Sequence, residues 1–178
     1  MPLYAITGTP GTGKTAVSEE LRRRGFEVID MNDHIRRHGL LGALDPKRHT
    51  YEVELEALNN SLEEYRHDES RTVLMDSHLS HLMDCRAIVV LRCHPDVLAN
   101  RLRSRGYDED KVRENVQSEI LDVILCEAAD SDIPVYEIDC TSCEVSDSAD
   151  AVSEIVKGNG ADYPPGRADW SSEMDKWF

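Results

Sequence analysis

Three observations predict an α/β fold built on a mostly parallel sheet. Five short apolar runs read as strands, amphipathic helical patterns lie between them, and a glycine-rich turn separates the first run from the first helix. Strands that alternate with helices form βαβ units, and the strands of such units lie parallel. The 178 residues suffice for one domain with a full core.

In chain order the strands are expected at Leu3–Thr7, Glu27–Met31, Thr72–Asp76, Ala87–Arg92 and Val135–Asp139. The fourth, "AIVVL", is an almost unbroken aliphatic run, as suits a strand covered on both faces. After the first strand, "TAVSEELRRRG" reads as a helix closed by Gly25, a residue suited to a C-terminal cap. "YEVELEALNNSLEEY" carries Tyr51, Leu55, Leu58, Leu62 and Tyr65 on one helical stripe. "HPDVLANRLRSRG" has Pro95 in its first turn. "DEDKVRENVQSEILDVILCEAAD" predicts one long amphipathic helix, and "SDSADAVSEIVKG" another that closes on Gly158. "GNGADYPPGRAD" (158–169) reads as a linker, and "DWSSEMDKWF" as a short tail helix with Asp169 as its N-cap. Trp170, Met174, Trp177 and Phe178 form one stripe on that helix. It is expected to dock on the protein's own core, with binding to a partner as the alternative.

Bulk properties narrow the function. No run approaches the ~18 apolar residues of a membrane span, and "MPLYAITGTPG" lacks a secretory pattern, so a cytoplasmic protein is expected. Five cysteines at irregular spacing suggest reduced thiols, and "CTSC" (140–143) has no second pair to complete a zinc site. A net charge of −15 argues against direct nucleic-acid binding. Lysine stands only at 14, 47, 111, 157 and 176, so arginine supplies most of the 20 cations. Such an acidic, lysine-poor surface suits a very salty cytoplasm, or it belongs to a merely acidic mesophilic protein.

"GTPGTGKT", Gly8 to Thr15, matches G-x-x-x-x-G-K-[ST] in the strand–loop–helix context that the motif requires. Gly8, Gly11 and Gly13 let the backbone curl so that successive N–H groups point at phosphate oxygens. Lys14 is expected to reach the β- and γ-phosphates of ATP, and Thr15 to offer its hydroxyl to Mg²⁺. The third strand ends in "DSH", and Asp76 lies at the edge where open α/β sheets bind ligands. It is the candidate for the Mg²⁺ shell, with Asp30, Asp33 and Asp139 at or near other strand ends. Arg101 and Arg105, one helical turn apart, either clamp phosphates beneath a lid or form a solvated basic helix end. His34 and His38 are four apart but lack the glutamate of a zinc motif, and His49, His67, His81 and His94 are expected at surface or helix positions.

"TGTPGTGKT", "DSH", "RLRSRGY" and "ENVQSEI" together resemble the adenylate kinase isoenzyme 6 type of nucleoside-monophosphate kinase, in an archaeal-type form. That family doubles as a small-ribosomal-subunit maturation ATPase, and the likeness covers about residues 3–157. It implies a five-stranded parallel sheet of order 2-3-1-4-5 with helices on both faces. It further implies a monophosphate-binding segment at about 30–53 and a short lid at about 104–114. Gly11, Thr12, Gly13, Lys14, Thr15, Ala16 and Arg105 would bind ATP, and Asp33 and Arg36 the acceptor. Lys14, Asp76, His78 and Arg105 would be catalytic, and Thr15 and Asp76 would hold Mg²⁺. Ala16 lacks a hydroxyl that relatives carry, "DCTSCE" lacks a lysine expected near the adenine, and 158–178 falls outside the pattern.

His78 would orient the attacking nucleophile or else brace the loop that carries Asp76. Two functions follow. One is phosphoryl transfer from Mg-ATP to AMP or a similar monophosphate, with ATPase activity. The other is a nucleotide-gated assembly factor that binds a basic platform protein of the small ribosomal subunit, with kinase activity incidental.

Overall fold

The computed structural model describes residues 2–45 and 50–178. Five parallel strands form the central sheet: β1 (Leu3–Thr7), β2 (Glu27–Asp30), β5 (Val73–Asp76), β6 (Ala87–Arg92) and β7 (Val135–Asp139). Their order is β2-β5-β1-β6-β7. Counted without the hairpin strands β3 (Leu41–Asp45) and β4 (Thr50–Val53), that is the expected 2-3-1-4-5.

β1 takes the centre because all five of its residues are apolar or small enough to be fully buried. Its side chains alternate between faces, as a strand's must. Leu3 and Ala5 enter a core with Met31 and Ile35 of α2 (Met31–Arg37), Leu58 of α3 (Leu55–Ser61) and Leu125 of α6 (Val123–Ala129). Tyr4 and Ile6 enter the opposite core, with Val17 and Leu21 of α1 (Lys14–Arg23) and Val152 and Ile155 of α7 (Val145–Val156). A third apolar cluster joins α4 (Pro95–Ser104) to α5 (Glu109–Ile120), and Trp170 and Trp177 pack against it. No helix among the described residues is long and apolar enough to cross a membrane.

Four expectations change. Residues 51–65 are not one helix: Tyr51 lies exposed on β4, which pairs antiparallel with β3, and only α3 and a 3₁₀ turn at Glu63–Tyr65 are helical. Thr50, Tyr51 and Val53 favour strand geometry, and here the hairpin overrides the helical stripe.

The helix expected over 108–130 breaks at Asp122, whose φ of 54° is left-handed. That residue turns to pair with the Arg92 guanidinium, and the chain restarts as α6.

The segment 158–169 is fastened to the sheet edge. Glu137 donates its N–H to the Tyr163 carbonyl (3.0 Å), and its carboxylate accepts from the Arg167 N–H (2.6 Å). Gly160 lies so close to the Tyr136 ring that a Cβ would collide with it.

The tail is a 3₁₀ turn, Ser171–Glu173, followed by α8 (Met174–Trp177). Its two tryptophans dock, but Met174 and Phe178 stay exposed, so the stripe divides between core and solvent.

Candidate active site

The loop between β1 and α1 curls because Gly8, Gly11 and Gly13 take φ of 136°, 97° and 118°, a region that side chains rarely occupy. A Cβ on Gly8 would strike the Leu91 carbonyl oxygen, so the loop also needs glycine for its approach to β6. Thr12 braces the curl by donating its N–H and hydroxyl to the Thr9 carbonyl (3.2 and 2.9 Å). Helix α1 begins at once, with no side-chain cap and no acid in its first turn. Its leading N–H groups and positive dipole end are therefore left to an anion.

Lys14 folds back over this cradle and donates to the carbonyls of Gly8 (2.6 Å) and Thr9 (3.0 Å). Burial lowers its ammonium to about 8, against the opposing pull of Asp76 and Glu119. An arriving phosphate would supply the counter-charge that the site lacks.

Asp76 ends β5, beside Ile6 of β1 and Asp30 of β2. Burial raises its carboxyl above the ordinary carboxylate range, while Ser18 and the Lys14 ammonium draw it back. His78 stands exposed. On the cavity wall the ring is nonetheless partly desolvated, and this, with Lys14 and His81 behind it, pushes its imidazole below the ordinary histidine range.

A cavity of about 610 Å³ joins these groups at the C-terminal edge of the sheet. Gly11, Gly13, Lys14, Thr15, Asp76, His78 and Arg105 all line it. Thr12 and Ala16 line an adjoining cavity of about 310 Å³, between the loop, Arg101 and the two cysteines of "CTSC". Asp33 lines a third, of about 420 Å³, with Arg37. Arg36 instead lies exposed, paired with Asp33 at 2.8 Å.

The donors near Lys14 fit Mg²⁺. Thr15 offers a hydroxyl and Asp76 a carboxylate, with Asp30 on the same cavity wall. This oxygen set is too sparse to enclose a bare ion, which suits a cation that keeps water and phosphate as its other ligands. Among the described residues no three His, Cys, Asp or Glu side chains cluster as a metal cage. His34 and His38 are otherwise engaged, with His34 Nε2 on Ser61 Oγ (2.8 Å) and His38 Nδ1 on the His34 carbonyl (3.0 Å).

Arg101 does not reach the cavity as a phosphate clamp. Its guanidinium donates to the carbonyls of Thr12 (3.3 Å) and Cys140 (2.9 Å), which ties the phosphate loop to the segment after β7. His81, expected at a surface or helix position, lies in a 3₁₀ turn (Ser80–Leu82) and is buried between Thr7 Oγ1 (3.1 Å) and Glu127 Oε2 (3.0 Å). His94 caps α4 and meets the Trp170 ring edge-on. All five cysteines are free thiols.

Sequence reasoning did not single out Glu119 or Arg92. Both are buried, and Arg92 pairs with Glu119 (2.8 Å), Glu137 (2.7 Å) and Asp122. Glu119 lies within the "ENVQSEI" stretch, but nothing in its local pattern marks it as buried.

A family model described as an AAA domain matches residues 5–122. A "Putative adenylate kinase" of Methanocaldococcus jannaschii is 42% identical over 154 residues, which cover 86% of this chain and 85% of that protein. A protein of the same description from Archaeoglobus fulgidus is 38% identical over 176 residues, covering 97% of this chain and 94% of its own. Among solved structures, a shikimate kinase from Acinetobacter baumannii superposes with TM-score 0.61 at 16% identity, over 90% of this chain and 96% of that one. A deoxyadenosine kinase from M. mycoides gives 0.56 at 14% identity, over 88% and 99%. These two share the fold. With the phosphate loop, the 2-3-1-4-5 sheet and the archaeal relatives together, the chain belongs to the P-loop nucleoside-monophosphate kinase family.

Proposed function

We propose that the protein transfers the γ-phosphoryl group of Mg-ATP to AMP or a similar nucleoside monophosphate. The observation that carries this reading is the single cavity that gathers Lys14, Thr15, Asp76, His78 and Arg105. Phosphoryl transfer needs little covalent chemistry from a protein, so positioning and charge do most of the catalysis. The loop N–H groups and α1 hold the phosphates of ATP. Lys14 leaves its two carbonyls and neutralises charge that builds between the β- and γ-phosphates. Arg105, at the turn between α4 and α5 and on the same cavity, meets the same charge, and residues 104–114 act as a lid that excludes water. Thr15 and Asp76 would hold the hydrated shell of Mg²⁺, whose charge would supply part of the phosphate neutralisation. The 310 Å³ cavity is the candidate place for the base, and the segment 30–53, of which 46–49 lie outside the described residues, for the acceptor, with Asp33 on the 420 Å³ cavity and Arg36 exposed beside it. The archaeal relatives described as putative adenylate kinases support AMP as the acceptor.

A second reading is supported by the charge of −15 and by His78 on the cavity wall, where its imidazole is pushed below the ordinary histidine range. In it, water replaces the acceptor and His78 orients it. ATP hydrolysis then gates release of a basic protein of the small ribosomal subunit during rRNA maturation.

One assay separates the two: pure protein with Mg-ATP, with and without AMP, with ADP resolved from inorganic phosphate. The kinase reading expects ADP at twice the rate of AMP loss and little phosphate. It also expects Lys14→Ala to abolish turnover while the fold persists. Turnover by a well-folded Lys14→Ala protein at the wild-type rate would sink both readings.

A further inference from the structure

The Glu119 side chain lies 3% exposed, near the end of α5, and each of its oxygens is committed. Oε2 accepts the Thr9 hydroxyl at 2.5 Å. Oε1 accepts from Arg92 Nε at 2.8 Å and from the Cys93 N–H at 3.0 Å. Arg92 also donates to the Glu119 carbonyl at 3.1 Å and reaches Glu137 at 2.7 Å. A single buried carboxylate thus joins three elements: the phosphate loop through Thr9, the end of β6 through Arg92 and Cys93, and α5 through its own backbone.

The order of events at the loop gives this contact its importance. Without phosphate, Lys14 ties down the first half of the loop through the Gly8 and Thr9 carbonyls. When Lys14 turns to a phosphate, those two bonds are lost. The Thr12 bonds to the Thr9 carbonyl are internal to the loop, so they hold its shape but not its place. Among the side-chain hydrogen bonds of the described residues, the Thr9–Glu119 bond and the Arg101 bond to the Thr12 carbonyl then join the loop to the rest of the molecule. The first is the stronger, because its acceptor is a charged group in a dry setting.

We propose that Glu119 is a positioning residue for phosphoryl transfer: through the Thr9 hydroxyl it fixes the phosphate loop in its receptive curl while Lys14 is engaged with the nucleotide. This rests on the nucleotide-binding reading above. Glu119 touches no substrate and acts through Thr9. Its negative charge also opposes the desolvation of Lys14.

The test uses the full chain and five variants, one of them double, with ATP affinity measured by calorimetry, kcat and KM by the coupled assay, and thermal unfolding alongside. Thr9→Val keeps the shape of the residue and removes the hydroxyl. It is expected to weaken ATP affinity and raise the KM for ATP by ~10-fold or more, with a much smaller change in kcat. Thr9→Ser restores the hydroxyl and is expected to restore affinity, a rescue that a merely structural methyl would not give. Glu119→Gln leaves Arg92 less well paired and is at risk of misfolding, so the proposal stands on the Thr9 pair. If Glu119→Gln folds, adding Thr9→Val to it is expected to cost little more. Wild-type affinity in Thr9→Val, or equal losses in the Val and Ser variants, would overturn the proposal. Lys14→Ala separates the two layers. If wild type binds ATP, Lys14→Ala does not, and Thr9→Val binds normally, only the role of Glu119 fails. If wild type itself does not bind ATP, the nucleotide reading fails and this proposal fails with it.

Discussion

Asp76 and His78 stand two residues apart on one strand end, yet their surroundings prepare them for different work. Asp76 is buried beside Lys14 and Ser18, whereas His78 stands exposed on the cavity wall, its imidazole pushed below the ordinary histidine range. Asp76→Asn preserves shape and removes the charge that serves the Mg²⁺ shell, so transfer and hydrolysis should fall together by ~10²-fold or more, with the far-UV circular dichroism unchanged. His78→Ala leaves that charge in place. Hydrolysis should then fall by more than ~10²-fold while transfer to AMP falls much less. Comparable losses in both reactions would show that His78 serves the site generally. Asp76 was legible because an apolar run that stops on a carboxylate is a local pattern. His81 and Glu119 were not, because their partners come from afar: Thr7 lies 74 positions from His81, and Thr9 lies 110 from Glu119. No window along the chain contains such a pairing.

The three inner strands β1, β5 and β6 were readable because burial on both faces demands nearly continuous apolar runs, the edge strands β2 and β7 as short apolar stretches between helical patterns, and the helices because their faces repeat at helical spacing. Two elements were misread where that periodicity competed with tertiary pairing. Tyr51 matched the stripe of Leu55, Leu58 and Leu62 but belongs to a hairpin, and the helix over 108–130 gave way to the Asp122–Arg92 ion pair. The junction of α2 and α3 carries a pH prediction. His34 is buried against Ser61 and stacked on His38 at 4.0 Å between ring centroids. Desolvation, with His38 and Arg37 behind it and Glu64 opposing, lowers its pKa below the ordinary value of 6.5. Below about 6.5 the unfolded chain therefore binds this proton more readily than the folded protein. The neutral ring contributes stability above that pH, and the contribution is lost as pH falls toward the lowered folded value. The thermal midpoint should drop between pH 7.5 and 5, and His34→Gln should flatten part of that slope. An unchanged slope in the variant would assign the acid sensitivity to other groups.

At the scale of the whole molecule, the tail and the surface charge act on the same unit. The Trp177 carbonyl accepts from Arg113 (3.1 Å) and Gln117 (2.8 Å) of α5, Lys176 pairs with Asp96 of α4, and both tryptophans cover the cluster between those helices. Tryptophan emission should therefore be blue-shifted and resistant to iodide in the free protein, and Trp177→Ala should cost about 1–3 kcal/mol, less than a fully buried tryptophan. Emission at the wavelength of free tryptophan would show an undocked tail. The net charge of −15 sets a wider condition. Surface pairs such as Arg24–Asp150, Arg71–Glu27 and Arg103–Glu109 are partly or well exposed and individually weak. The uncompensated acids repel one another across distances that a ~10 Å Debye length at 0.1 M salt leaves partly unscreened, and that ~3 Å at 1 M does not. Screening weakens both effects, but repulsion among an excess of like charges is the larger sum, and the buried Arg92 cluster is little affected by salt. The thermal midpoint should therefore rise by several degrees as KCl goes from about 0.05 M to about 1 M. A midpoint that falls over that range would mean that the surface ion pairs outweigh the repulsion, and the acidic surface would then be no adaptation to salt.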